Sequence, residues 1–180
     1  MSKFGRKISA LLLAAAVTVS AVVPAFAANS PVSGNTDADT KVTAVTTSDK
    51  TCTVTDVNST GDVAVIPALV SQGGKTYAVD KVATNTLKDK YDKVYLVMSE
   101  KTKVDPKVAN TKKSKKTKKI VVKVMEGQKL TASQFDKEAF KGFKGKIVIR
   151  KGAMTKKEFK KLVKKLRKGG FEGKISFSKK

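Results

Sequence analysis

The chain has no histidine and no tryptophan, and a single cysteine among its 180 residues. Each shortage removes a class of chemistry. Without His, the commonest general base and zinc ligand is missing, and neither a Ser-His nor a Cys-His nucleophilic pair can be assembled. Cys52 has no intramolecular disulfide partner, so the fold must hold without cross-links. Carboxylates are also scarce, 15 Asp plus Glu against 38 Lys plus Arg. Asp136 and Glu138 lie two apart and Glu158 sits where a helix begins, so the sequence sets up no acid-base pair. Gly142 and Gly145 flank an aromatic turn and form no phosphate loop. These gaps point away from an enzyme: no catalytic, metal or cofactor residues are expected, and only a carboxylate pair assembled by the fold would open a route to catalysis.

Long apolar runs are scarce as well. One exists, Ile8 to Val23, behind the positive Lys3, Arg6 and Lys7 and ahead of Pro24 and Ala25-Phe26-Ala27. This order of basic, apolar and small-x-small residues is that of a secretory signal peptide over 1–27, cut between Ala27 and Ala28. The competing reading is a retained anchor, but about sixteen apolar or small residues fall just short of the ~17 to 25 that span a bilayer, and the Ala-x-Ala site favours removal. No cysteine sits just after the cut to take a lipid. The expectation is a secreted, extracellular protein with no integral membrane insertion after processing, held at a cell wall, if at all, non-covalently.

Residues 28–40, ANSPVSGNTDADT, lack apolar periodicity and read as a flexible leader. From Lys41 the pattern turns to period two, with Val42 and Ala44, Cys52 and Val54, then Val63 and Val65, the mark of short strands. Asp49-Lys50 and Ser59-Thr60-Gly61 are the expected turns. Cys52, within TCTVTDV, reads as a small buried hydrophobe in a strand rather than a reactive thiol or an intermolecular disulfide. Further on, a motif of Lys, apolar, any residue, apolar recurs: KVYLV from Lys93, KIVVKV from Lys119 and KIVI from Lys146. Val94, Ile120 and Ile147 are spaced by 26 and 27 residues. A preceding element recurs too, as VDKVATNTL from Val79, VDPKVAN from Val104 and LTASQFDKEAF from Leu130. Such a period belongs to stacked repeats, each burying a face on its neighbours.

Thr155 to Lys168 places Phe159, Leu162, Val163 and Leu166 at i, i+3, i+4 and i+7, one face of a helix. Thr155 and Glu158 form a T-x-x-E capping box and Gly169-Gly170 supplies the stop. Phe171 then leads to a closing strand at Lys174 to Phe177. Lys157, Lys161, Lys164 and Lys168 point away from the apolar face. Either the helix docks on the body through that face, or it lies on a membrane surface. The narrow stripe without Trp favours docking.

The run EAFKGFKGKIVI, with KLTA before it and KKEFKKLVKKLRKGG after it, resembles the C-terminal end of BspA-like leucine-rich-repeat surface proteins. In that family each unit carries an Ile-Gly-x-x-Ala-Phe turn followed by Lys-Leu-Lys-x-Val-x-Ile. VAVIPALVSQGGKTYAV, from Val63, is similar to the family's opening segment, so the resemblance covers Lys41 to Ser178. It implies a β-rich α+β fold: a short leucine-rich-repeat-type solenoid with an N-terminal strand layer and a C-terminal capping helix plus strand. A single domain over 41–180 would then comprise opening strands 41–74, degenerate repeats 75–150 and a cap 151–180. It also implies a surface or adhesion-type role. The middle departs from the pattern, with Thr86-Leu87 in place of Ala-Phe and only Val108-Ala109-Asn110 in the next unit. Losing a large aromatic from a packed site costs ~3 to 5 kcal/mol, so the unit around 101–118 is expected to be the loosest.

Charge is unevenly spread. Residues 28–100 carry 7 basic and 9 acidic groups, whereas 101–180 carry 28 and 6. The candidates for holding a polyanion are Lys112, Lys113, Lys115, Lys116, Lys118 and Lys119 in one run, and Lys157, Lys161, Lys164 and Lys168 on the helix. The implied partners are anionic cell-wall or extracellular polymers, or a protein. The alternative is a secreted structural scaffold whose lysines solubilise it and block strand edges; a membrane-active basic amphipathic protein comes third. Sequence-specific nucleic-acid binding is not expected, because Phe135, Phe140, Phe143, Phe159 and Phe171 sit at core spacings and are not interleaved with the basic clusters.

Overall fold

The lysine-headed apolar segments stack directly on one another. A computed structural model describes residues 31–35, 39–109, 114–150 and 152–178; the expected signal peptide and its Ala27–Ala28 cut lie outside them. In chain order the described elements are β1 (Pro31–Asn35), β2 (Thr40–Thr46), β3 (Thr51–Ser59), β4 (Val63–Ile66), β5 (Leu69–Gln72), β6 (Lys75–Val82), β7 (Lys93–Met98), β8 (Lys103–Val104), β9 (Lys119–Val124), β10 (Lys146–Ile149), α1 (Lys156–Lys168) and β11 (Lys174–Phe177). The described residues are strand-rich, with one α-helix among them and curled sheets.

One sheet runs β11-β10-β9-β7-β4, and every neighbouring pair in it is parallel. Parallel neighbours need a crossover of a dozen or more residues between them, which the long spacing of the motif provides. Val94, Ile120, Ile147 and Ile175 stand side by side, as do Leu96, Val122, Ile149 and Phe177. The first three of each set are buried. At β4 the phase differs from that expected of the sequence: Ala64 and Ile66 are buried, while Val63 is 39% exposed. All four residues are apolar, so alternation alone does not choose between faces. Pairing with β7, which sets Ala64 beside Val94 and Ile66 beside Leu96, does.

The second sheet runs β1-β2-β3-β6-β5, with β8 on β6. Its β1–β2–β3 part is antiparallel, and β3, β6 and β8 are parallel. Part of the stretch read as a leader is therefore a strand: β1 pairs with β2 from Pro31 opposite Val45 to Asn35 opposite Lys41. Its bonds are main-chain ones, which a polar composition neither prevents nor advertises.

The turns linking the sheets also stack, in a phase the sequence misjudged. Val82, not Val79, stands beside Val104, and Phe135, not Leu130, stands on its other side. Segments 82–87, 104–109 and 135–140 then run in step. Asn85 N–H donates to the Lys107 carbonyl at 3.1 Å and Leu87 N–H to Val108 at 3.1 Å, while Lys107 and Val108 N–H donate to Glu138 and Ala139 at 2.9 and 3.0 Å. Asn85 and Lys107 both take positive φ, 60° and 56°, a conformation that a β-branched residue would resist. Buried hydroxyls and one amide join the layers: Thr86 Oγ1 donates to the Val54 carbonyl, Thr102 Oγ1 to Val79, and Gln134 Nε2 to Ser99 and Thr102.

In α1, Leu162 and Leu166 are fully buried and Phe159 and Val163 half-buried, so the apolar face is docked on the body. Thr155 accepts from Glu158 N–H as a cap. The expected reciprocal half of the box is not made: the Glu158 carboxylate reaches Ala132 N–H at 2.9 Å and Lys161 at 2.8 Å instead. Lys165 Nζ donates to the Ala132 carbonyl, fixing the same seam. The left-handed residue after the helix is Gly170, φ 88°, while Gly169 is buried where a Cβ would fall on the Lys137 carbonyl oxygen. An aromatic chain, Phe135–Phe140–Phe143–Phe171, links turn to cap with centroids 6.2 to 6.4 Å apart.

Candidate polyanion-binding surface

The ten lysines singled out by the sequence fall on separate elements. Lys157, Lys161, Lys164 and Lys168 are exposed on α1, but Lys161 is bound to Glu158 at 2.8 Å. That hydrogen bond, with the one from Ala132 N–H, holds the Glu158 carboxyl below its ordinary range. Lys115 and Lys116 are exposed on a short 3-10 turn, Ser114–Lys116. Buried Thr117 anchors it by accepting from Tyr91 N–H at 3.2 Å. Lys118 is paired with Asp92 at 2.8 Å, a hydrogen bond that raises its pKa. Lys112 and Lys113 lie outside the described residues. Lys119 is different, because it opens strand β9 and therefore has neighbours in register.

Those neighbours form a ladder. Lys93, Lys119, Lys146 and Lys174 are the first residues of four adjacent strands, each opposite the next. Adjacent strands are ~4.8 Å apart. Four residues along, Lys123 ends a second, shorter row: Val97 stands beside it on β7, and Arg150 N–H donates to the Val122 carbonyl at 3.1 Å, bringing Arg150 to its other side. Side chains alternate across a strand, so both rows and the intervening Tyr95, Val121, Val148 and Ser176 occupy the face opposite the buried Ile120 and Val122. Lys93 and Lys123 both lie over the Tyr95 ring, 5.5 and 4.3 Å from its centroid, tying one row to the other. Among the described residues none of these six cations is in an ion pair, and no Asp or Glu occupies this face within the strands. Elsewhere acids are paired with lysines, as in Lys88–Asp56 and Lys144–Glu172. Ammonium groups at strand spacing repel one another by on the order of 1 kcal/mol per neighbouring pair in water. Where the second row ends, Lys123, Lys129, Arg150, the Glu126 carboxylate and the Gly127 and Gly152 turns line a cavity of about 420 Å³.

Of these six, only Lys119 is among the binding candidates expected from the sequence. The signal was nonetheless present, since Lys heads each recurring strand motif; what linear spacing hid was that the motifs pair in register, turning one lysine per repeat into a row. Cys52, by contrast, sits where expected. It is fully buried in β3, and burial, followed by the nearby Asp80 carboxylate, pushes its thiol up to about 11.

No family model, curated protein or solved structure matches the chain.

Proposed function

We propose that this is an exported, non-enzymatic interaction protein of the leucine-rich-repeat type, binding anionic cell-surface or extracellular polymers through its lysine-rich C-terminal half. Three stacked segments, 82–87, 104–109 and 135–140, and parallel strands recurring every 26 to 28 residues from β7 to β11 support the short repeat array. Helix α1 with β11 closes its C-terminal end and the β1–β3 layer its start. The observation that carries the binding role is the segregation of charge: residues 101–180 hold 28 of the 38 basic groups with only 6 acids. A field of one sign concentrates counter-ions and steers polyanions at rates that fall with ionic strength. Docking consumes the apolar face of α1, which argues against the membrane-surface alternative, and no described helix is long and apolar enough to cross a bilayer.

The test is retention of the mature protein on heparin and on isolated cell wall as a function of salt. Retention near physiological ionic strength that weakens steeply with added NaCl is the expected result. A protein that elutes from both at that ionic strength leaves the scaffold reading in its place, and leakage of anionic vesicles would favour the membrane one.

A further inference from the structure

The outward face of the five-stranded parallel sheet, where Lys146 and Lys174 are exposed and Lys93, Lys119, Lys123 and Arg150 half-buried, is set apart from the rest of the basic surface by its regularity. We infer that this face is the binding site of a linear anionic polysaccharide, lying across the strands with its charged edges on the two cationic rows and its ring faces on the strip between them. The inference rests on the polyanion reading above and narrows it to one surface and one ligand class.

Four observations carry it. The first row repeats one cation per strand over four strands, so it spans about three strand spacings, ~14 Å, along the direction in which an extended polymer would run. The second row, Lys123 and Arg150, lies four residues further along each strand, ~13 Å away. A polymer with charge along a single line would engage one row; a ribbon charged on both edges engages both. Between the rows, Val121 and Val148 are covered, 3% and 7% exposed, so a ligand lying in the strip meets the half-buried Tyr95 and Ser176 and the aliphatic stems of the flanking cations. The strip lacks the series of aromatic platforms on which successive nucleobases stack. Finally, the like-charged ladder is unfavourable to the free protein, since like charges directly opposite in a sheet destabilise it. No acid within the described strands of this face offsets it, Glu126 lying in the turn beyond Lys123, and a bound polyanion would. Tyr95, under Lys93 and Lys123, is a positioning residue that holds the two rows at the first strand of the ladder.

The experiment compares two charge-matched variants of the full mature chain, Lys93, Lys119, Lys146 and Lys174→Gln in one and Lys157, Lys161, Lys164 and Lys168→Gln in the other, in calorimetric titration with size-defined heparin oligosaccharides. The ladder variant is expected to lose at least tenfold in affinity, and its slope of log K against log salt to fall by about 3, near one per counter-ion contact removed. The helix variant should stay within about threefold of wild type. A third variant, Lys123→Gln with Arg150→Gln, should weaken heparin while leaving inorganic polyphosphate little changed. Removing the ladder relieves repulsion, so its thermal midpoint should hold or rise; a fall in midpoint together with affinity would mark unfolding and overturn the assignment. Equal losses in the ladder and helix variants would leave polyanion binding standing but show it to be diffuse, refuting this site. Tighter binding of polyphosphate or single-stranded DNA than of heparin would refute the ligand class. Absence of binding by wild type would remove both this inference and the reading beneath it.

Discussion

Leu87, Ala109 and Phe140 close three successive turns in the same place, all at 1% exposure or less. The position therefore carries a large aromatic only in the last turn, where Phe140 also touches Phe135 and Phe143. Phe140→Ala is expected to cost ~3 to 5 kcal/mol, since the surrounding rings cannot collapse fully into the space; urea unfolding checks it, and a loss below about 1 kcal/mol would show that turn to be loosely packed. Cys52 makes a second case. Its thiol is raised from 9.0 to about 11 by burial first and Asp80 second, so the folded state favours the neutral form. That contribution is complete below the unfolded pKa near 9 and is lost as pH rises toward 11. Native protein at pH 8 should resist a thiol-directed alkylating reagent that labels it at once in denaturant, while Cys52→Ser removes this alkaline component of the stability profile; rapid native labelling would contradict the burial. Cys52 was legible in the sequence because hydroxyl residues flank it on both sides. Val63 and Val65 were misassigned because VAVI offers two apolar phases, and only the strand it pairs with selects one.

Elements with strong periods were legible in the chain itself. Helix α1 follows from its i, i+3, i+4, i+7 apolar positions, Thr155 and the glycine pair, and the strands beginning at Lys93, Lys119, Lys146 and Lys174 follow from their shared motif. Elements without an apolar period in their sequence were not: β1 lies in a stretch rich in small and polar residues, and two-residue β8 pairs with β6 over only Lys103 and Val104. The repeat phase was misjudged for a related reason. VDKV and VDPKV look alike at Val79 and Val104, but the chain stacks Val82 on Val104 because the left-handed Asn85 and Lys107 must coincide. The middle element remains the weakest on physical grounds: Ala109 replaces a ring, and β8 supplies only two ladder residues. Hydrogen exchange is expected to reach the amides of Val104 and Val108 well before those of Ile147 and Leu162, in a cooperative opening below the global stability. Equal protection would show that the buried bonds of Thr102 and Gln134 make the stack a single cooperative unit.

At the scale of the whole molecule, net charge sets an opposition between stability and binding. The segment 101–180 holds a large excess of positive charge, while 28–100 is slightly acidic, so attraction between the halves is small beside repulsion within the basic one. The described ion pairs are surface contacts such as Lys118–Asp92 and Lys88–Asp56, which solvent screens and which add little to stability. Added salt screens both effects, with a Debye length near 10 Å at 0.1 M and about 3 Å at 1 M. It reaches the many long-range repulsions along the lysine rows before the few close pairs. Raising NaCl from about 10 mM to 1 M, over which the Debye length falls from ~30 to ~3 Å, should therefore increase the thermal midpoint by ~3 to 8 °C, the shift expected of about 1 to 2 kcal/mol in a domain of this size. The ladder variant should show a smaller rise than the helix variant, because its closest repulsions are already gone. Polyanion retention should fall over the same range. A midpoint that drops as salt is added would mean that the surface pairs outweigh the repulsion, and the ladder would then impose no cost on the free protein for a ligand to relieve.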